Sequence, residues 1–277
     1  MATMARAVAI LADVHGNLAA LEAVLADVAA RGITEVVVAG DLVGFGASPN
    51  VVVDRLVVSG ATLIRGNHEA DYVGGYADPA RRAAWREDPD LANMCWYLDR
   101  LGPTRAALLT ALPDRHWLDP ATLITHGSPR QLRDSVRADT PADALAAMFA
   151  PAPPRLAFVG HTHVPLIREV SWGRVVNVGS VGAAFGDRRA TYALATRATG
   201  AADGDWAVAL ARVDYDIEAA IAAYDEGMGA ADPTFAALMA CHLRTGRRVF
   251  QDWSRARATL PPADWPAALT RILADES

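Results

Sequence analysis

Residues 7–17 read Ala7-Val8-Ala9-Ile10-Leu11-Ala12-Asp13-Val14-His15-Gly16-Asn17. The first six form an unbroken apolar run, the pattern of a strand covered on both faces. Polar residues start abruptly at Asp13. Asn17 then offers an N-cap to a helix in which Leu18, Leu21, Val24, Leu25 and Val28 recur at helical spacing, and Gly32 is its stop signal. The unit repeats in kind. Val36–Ala39 is a second run, a loop with Gly44 and Gly46 leads to a helix over Pro49–Val58, and Ala61–Ile64 is a third run. Strand, helix, strand, helix, strand predicts a largely parallel or mixed sheet covered by helices, an α/β fold.

The pattern then changes. Tyr72, Tyr76, Trp85, Trp96 and Tyr97 fall in helix-like stretches, predicting a helical insertion over about 70–118 at one end of the sheet, with its aromatics packed on the core in preference to stacking on a nucleobase. Thr122–Thr125 and Leu156–Val159 are two further buried runs, separated by a loop and a short helix around Asp143–Phe149. Leu166–Val170 and Arg174–Val178 flank a turn, and Thr191–Ala195 and Trp206–Val213 flank a Gly/Ala/Asp loop, so two hairpins are expected. From Asp216 to Ser277 the chain reads as helices. No repeat or linker divides it, so residues 1–277 are expected to form one unit with a C-terminal helical extension over about 216–277.

Composition narrows the function classes. Of 277 residues, 52% are apolar and 21% charged, as in ordinary globular proteins. A net charge of −6 argues against a general nucleic-acid-binding surface. Every basic residue is Arg, so lysine Schiff-base and P-loop lysine chemistry are excluded. Cys95 and Cys241 make no disulfide framework, and Met1–Arg6 is too short for a charged leader region. No apolar stretch reaches about 18 residues without a charge, so no membrane span is expected. These features together predict a cytoplasmic protein.

Five apolar runs end in polar residues of one kind: Asp13-Val14-His15, Gly40-Asp41, Gly66-Asn67-His68-Glu69, Thr125-His126-Gly127 and Gly160-His161-Thr162-His163. In helix-covered sheets, ligands bind beyond the carboxyl ends of the strands, where these residues would converge. Buried carboxylates and imidazoles without a counter-charge are costly, and divalent cations relieve that cost. Carboxylate, amide and imidazole donors without thiolate suit manganese, iron, nickel or zinc better than calcium or magnesium. Seven such groups exceed the share of one ion that keeps water and substrate positions open.

Taken in order, these motifs resemble the calcineurin-like metallophosphoesterase superfamily, and Asp13-Val14-His15-Gly16-Asn17 with its helix most resembles the small bacterial and archaeal branch of phosphodiesterases and phosphatases. The resemblance spans residue 7 to about 192. It implies a four-layer α/β/β/α sandwich with two mixed sheets. It implies that Asp13, His15, Asp41 and His163 hold one metal ion and that Asp41, Asn67, His126 and His161 hold the other, with Asp41 bridging. It implies that His68 contacts the scissile phosphate and helps the leaving oxygen depart. The expected activity is hydrolysis of small phosphodiesters or phosphomonoesters by direct attack of a metal-bridging hydroxide. Two divalent ions are expected, manganese first, with iron, nickel or zinc as alternatives. The alternatives are a phosphoprotein or dinucleoside polyphosphate phosphatase, or a silent scaffold of the same fold.

Two departures bear on substrate. The phosphoprotein phosphatases continue the second motif into Asp-Arg-Gly, whereas here it reads Asp41-Leu42-Val43-Gly44-Phe45. Many members of the small branch follow Asn-x-Gly-Ser-Val-Gly with Gln-Pro-Arg. Here Ala183-Ala184-Phe185 follows Gly182, and Arg188 or Arg189 is the nearest basic replacement. Phe45 is read as a loop anchor or a substrate contact, His116 with Trp117 as a strand-edge surface pair, and His242 as a structural residue on a helix.

Overall fold

Each of the five motif-bearing runs becomes a strand in the computed structural model of the chain, which describes residues 6–225 and 227–274. The elements in order are β1 (Arg6–Leu11), α1 (Leu18–Ala30), β2 (Glu35–Ala39), α2 (Pro49–Ser59), β3 (Thr62–Ile64), a π-helical turn (His68–Val73), α3 (Gly74–Tyr76), α4 (Pro79–Arg86) and α5 (Ala92–Thr110). Then come β4 (Arg115–Asp119), β5 (Thr122–Thr125), α6 (Ala142–Phe149), β6 (Leu156–Val159), β7 (Leu166–Val170), β8 (Gly173–Asn177), β9 (Ala190–Arg197) and β10 (Ala207–Val213). The chain continues through α7 (Ile217–Asp225), α8 (Met228–Ala231), α9 (Pro233–Thr245), α10 (Val249–Thr259) and α11 (Trp265–Ala274). The expectations made for Met1 to Ala5 and for the last three residues fall outside the described residues.

Two mixed sheets form. One has the order β10-β9-β1-β2-β3 and the other β4-β5-β6-β8-β7. In the first, β1, β2 and β3 run parallel, with β9 antiparallel to β1. In the second, β5, β6 and β8 run parallel, with β4 and β7 antiparallel at the edges. Both expected hairpins are present, as β7–β8 and β9–β10. The insertion's helices end at Thr110, and Arg115–Asp119 is a strand that pattern reading did not separate from them.

Period-two alternation sorts the strand residues into layers. Val8, Ile10, Val37 and Ile64 of the first sheet meet Ile124, Leu156, Phe158 and Val176 of the second. The other faces turn outward. Ala9, Leu11 and Val38 pack on Leu21, Val24 and Leu25 of α1 and on Val52 and Leu56 of α2. Ala157, Val159 and Val175 pack on Leu145, Met148 and Phe149 of α6. The result is the expected helix, sheet, sheet, helix sandwich. The Asn17 side chain accepts from the Ala20 amide at 3.1 Å and caps α1.

Face-to-face packing brings the carboxyl ends of β1, β2, β3, β5 and β6 to one edge of the sandwich. Backbone bonds tie the loops that leave them. Asp13 N donates to Gly40 O at 3.1 Å, His15 N to Asp41 O at 2.9 Å, and Gly160 N to His126 O at 2.8 Å.

Candidate metal centre

All eight residues expected at the site gather at that edge. Asp13, His15, Asp41, Asn67, His68, His126 and His163 are buried, and His161 is partly so. The loops that carry them are strained. Asp13, His15, Asp41, His161 and His163 have φ of 53°, 49°, 52°, 68° and 58°, and among the described residues no other non-glycine residue has positive φ. This left-handed region is unfavourable for residues with a Cβ, and such outliers concentrate at functional sites. Close approach also needs small neighbours. A Cβ at Gly66 would collide with the Asp41 carboxylate, and one at Gly160 would lie 2.7 Å from Asp13 Oδ2.

The histidines are oriented from behind. Nδ1 of His126 faces the Ala39 carbonyl at 2.8 Å, Nδ1 of His163 faces that of Ala183 at 2.7 Å, and Nδ1 of His15 faces that of Val43 at 3.2 Å. A proton on each Nδ1 satisfies the carbonyl and turns the Nε2 lone pair toward the cluster, as metal-ligating histidines require. His15 Nε2 and His163 Nε2 meet at 3.0 Å, and His126 Nε2 lies 3.0 Å from Asn67 Oδ1.

Each aspartate commits one oxygen to backbone and leaves the other facing imidazoles. Asp13 Oδ2 accepts from His161 N at 2.9 Å, while the buried Oδ1 has no hydrogen-bond partner and lies 3.3 Å from His163 Nε2 and 3.7 Å from His15 Nε2. Asp41 Oδ1 accepts from His68 N at 2.8 Å. Its Oδ2 sits among Nε2 of His126 at 3.3 Å, His15 at 3.8 Å and His68 at 4.0 Å.

Electrostatics favour positive charge here. Against burial, which lowers it, Asp41 raises the proton affinity of His126 to a pKa of about 10. Asp13 likewise raises His163 against burial. Burial, reinforced by charge on His126, holds His161 down to about 4, so it stays a neutral donor. Three groupings place one ligand atom per residue within 4.8 Å of one another: Asp13, His15 and His163; Asp41, His126 and His161; and His15, Asp41 and His68. An orphaned buried carboxylate oxygen, inward Nε2 atoms and a hard–borderline donor set fit a divalent transition metal.

Glu69, the last residue of the third motif, is a functional residue that its motif does not mark. Its buried carboxylate accepts from the amides of Asp41 at 2.9 Å, Leu42 at 2.9 Å, Val43 at 3.3 Å and Gly66 at 2.7 Å. It pins the turn carrying Asp41 to the turn carrying Asn67. Burial and the neighbouring Asp41 charge push it up to about 7. Its signal was position alone, next to His68 in the third motif.

A cavity of 450 Å³ opens over the cluster. Phe45 lines it and stacks beside His15 with ring centroids 4.4 Å apart, so it both anchors its loop and faces the cavity. Tyr72 and Tyr97 line it as well, while Tyr76, Trp85 and Trp96 pack into the core. His242 is buried with Nδ1 on the Arg247 carbonyl at 2.8 Å, and His116 lies on edge strand β4; neither reaches the cluster. Arg189 donates to Asp187 at 2.8 Å and 3.0 Å and is turned away from the cavity. A different arginine, Arg248 from the start of α10, occupies the space over Phe185, its guanidinium carbon 4.4 Å from the ring centroid. No sequence motif marks it.

Comparison with known proteins finds relatives of the chain and of its fold. Residues 7–200 match the model of the calcineurin-like phosphoesterase superfamily domain. An uncharacterised protein of Methanocaldococcus jannaschii is 25% identical over 240 residues, covering 77% of this chain and 89% of that protein. A metallophosphoesterase crystal structure from Sphaerobacter thermophilus superposes with a TM-score of 0.66 at 29% identity, covering 84% of this chain and 98% of that one. A hypothetical protein from Pyrococcus horikoshii has the same fold, with a TM-score of 0.69 at 22% identity over 84% of this chain and 97% of that one.

Proposed function

The chain belongs to the calcineurin-like phosphoesterase superfamily, and from that premise we propose that it hydrolyses small phosphodiesters or phosphomonoesters at a dinuclear centre held by Asp13, His15, Asp41, Asn67, His126, His161 and His163. The superfamily is metal-dependent, and membership of a phosphoesterase family supports a hydrolase. One observation carries the finer reading: Asp41 Oδ2, buried among the Nε2 atoms of His126, His15 and His68, lies where the grouping of Asp13, His15 and His163 adjoins that of Asp41, His126 and His161. A carboxylate in that position suits a bridge. Manganese is the first candidate, with iron, nickel and zinc as alternatives. Two divalent ions, when bound, lower the pKa of a water and neutralise charge on phosphoryl oxygens.

The protein's own groups supply the rest. Backbone carbonyls hold the imidazoles of His15, His126 and His163 in one tautomer, so no reorganisation is needed as charge develops. His68 lines the cavity with a ring that ligates nothing in the proposed set. It is suited to pass a proton to the departing oxygen. No serine or cysteine nucleophile is required. A cavity of 450 Å³ fits a small molecule, within the usual range of ligand pockets. Among the described residues no helix is long and apolar enough to cross a membrane; the free thiols of Cys95 and Cys241 support a cytoplasmic setting as part of the proposal.

The test is hydrolysis of bis-p-nitrophenyl phosphate and p-nitrophenyl phosphate by the manganese-loaded chain. Turnover of either supports the reading, and the faster one assigns diester or monoester chemistry. No turnover of these or of unactivated phosphoesters with any of the four metals would overturn it.

A further inference from the structure

The cavity carries more positive charge than one phosphoryl group over a metal centre requires. Arg133, Arg137 and Arg248 line it, and Asp41 is its one carboxylate. In a chain of net charge −6 this is a local reversal of sign. The three guanidiniums are held differently. Arg133 Nε donates to Asp71 at 2.7 Å, so its charge is answered there. Among the described residues Arg137 and Arg248 have no carboxylate partner.

Arg248 is aimed. Its guanidinium stacks on Phe185, and Phe185 stacks on His163 with centroids 5.2 Å apart and planes 21° apart. A stacked guanidinium keeps its edge N–H donors for planar recognition of phosphate or carboxylate. Phe185 thus contacts both the Arg248 guanidinium and the His163 imidazole, which puts Arg248 one side chain away from the Asp–His cluster. Tyr97 adds a second, independent sign of a ligand. It is 2% exposed, its hydroxyl has no hydrogen-bond partner, and it lines the same cavity. A buried hydroxyl left unpaired is costly unless a ligand supplies the acceptor.

We infer that the cavity selects phosphoesters bearing a second anionic group, a further phosphate or a carboxylate, held by Arg248 with Arg137 while the reacting phosphoryl group lies over the cluster. This rests on the phosphoesterase reading above. It makes Arg248, from the C-terminal helices, a specificity-determining residue, and gives those helices a part in substrate choice.

The experiment uses the full chain as purified and two pairs of probes. Phenylphosphonate and 4-carboxyphenylphosphonate, which are not hydrolysed, are compared by calorimetric titration. Phenyl phosphate and 4-carboxyphenyl phosphate are compared as substrates. The extra carboxylate should tighten binding about tenfold or more, the worth of one charge-assisted contact. In Arg248→Gln that preference should fall to within about twofold, and Arg248→Lys should restore part of it. Arg255→Gln, on the same helix outside the cavity, should keep it in full. For the substrates the change should appear in KM more than in kcat. Equal binding of the two phosphonates by the wild type, or a preference that survives Arg248→Gln, would overturn the inference. Turnover failing while the phosphonate preference follows Arg248 would sink the hydrolytic reading and leave the anion subsite standing.

Discussion

Glu69 accepts a hydrogen bond from the backbone amide of Asp41 at 2.9 Å, so the residue proposed as the bridge is held by a carboxylate outside the proposed ligand set. The same carboxylate bonds the amides of Leu42, Val43 and Gly66. Glu69→Gln keeps the shape but puts an NH2 group where acceptors are needed, leaving buried amides facing a donor. We expect a stability loss of about 2–4 kcal/mol by chemical denaturation, together with weaker metal retention on dialysis. Unchanged stability and metal content would show the clamp to be dispensable.

Asp41→Asn tests the bridge. A neutral amide binds divalent cations poorly and cannot balance charge on both sides. Metal content by elemental analysis should fall at both positions, not one. Retention of two tightly bound ions would remove Asp41 from the bridging role.

His68→Ala should leave metal content intact and cut kcat by roughly 10²–10⁴-fold if the imidazole serves the leaving group. The fall should be smaller for p-nitrophenyl esters, whose leaving group needs little protonation, than for alkyl esters. Because His68 Nε2 lies 4.0 Å from Asp41 Oδ2, the metal assay matters as much as the rate. Parallel loss of metal would make His68 a ligand.

Asp187 joins the loop after β8 to β10 through Arg189 at 2.8 Å and Arg212 at 3.1 Å. The hydrogen bonds from Arg189 hold its pKa down to about 2, with the charges of Arg189 and Arg212 adding to the effect against burial. A depressed carboxylate stabilises the fold above its unfolded pKa, and the contribution is lost as pH falls through the folded value. The stability gap between wild type and Asp187→Asn should therefore be fullest above about pH 5 and close toward pH 2. A gap independent of pH would mean that packing, not charge, is responsible.

What the sequence revealed follows from what periodicity reports. Ile10, Val37, Ile64, Ile124 and Phe158 lie in strands covered on both faces, so their runs were unbroken and their polar ends conspicuous. Five parallel strands ending at one edge then forced Asp13, Asp41, Asn67, His126 and His161 together. β4 was only partly legible: His116 and Trp117 read as a strand-edge pair, but with little burial and no apolar run the strand's bounds did not stand out from the insertion. The left-handed backbone at the five ligand candidates leaves no local signature, since tertiary bonds such as Asp13 N to Gly40 O impose it. Arg248 was equally hidden. It stands in a helical tail without motifs, and only folding carries it across to Phe185.

Asp13, His15, Asp41, Asn67, His126, His161 and His163 are proposed to hold a pair of metal ions. Elemental analysis of the chain after manganese loading and removal of excess metal tests it most directly, read alongside bis-p-nitrophenyl phosphate hydrolysis. Close to two ions per chain are expected in the wild type, with turnover that rises in step with occupancy. A chain that after reconstitution retains no more metal than Asp41→Asn would contradict it.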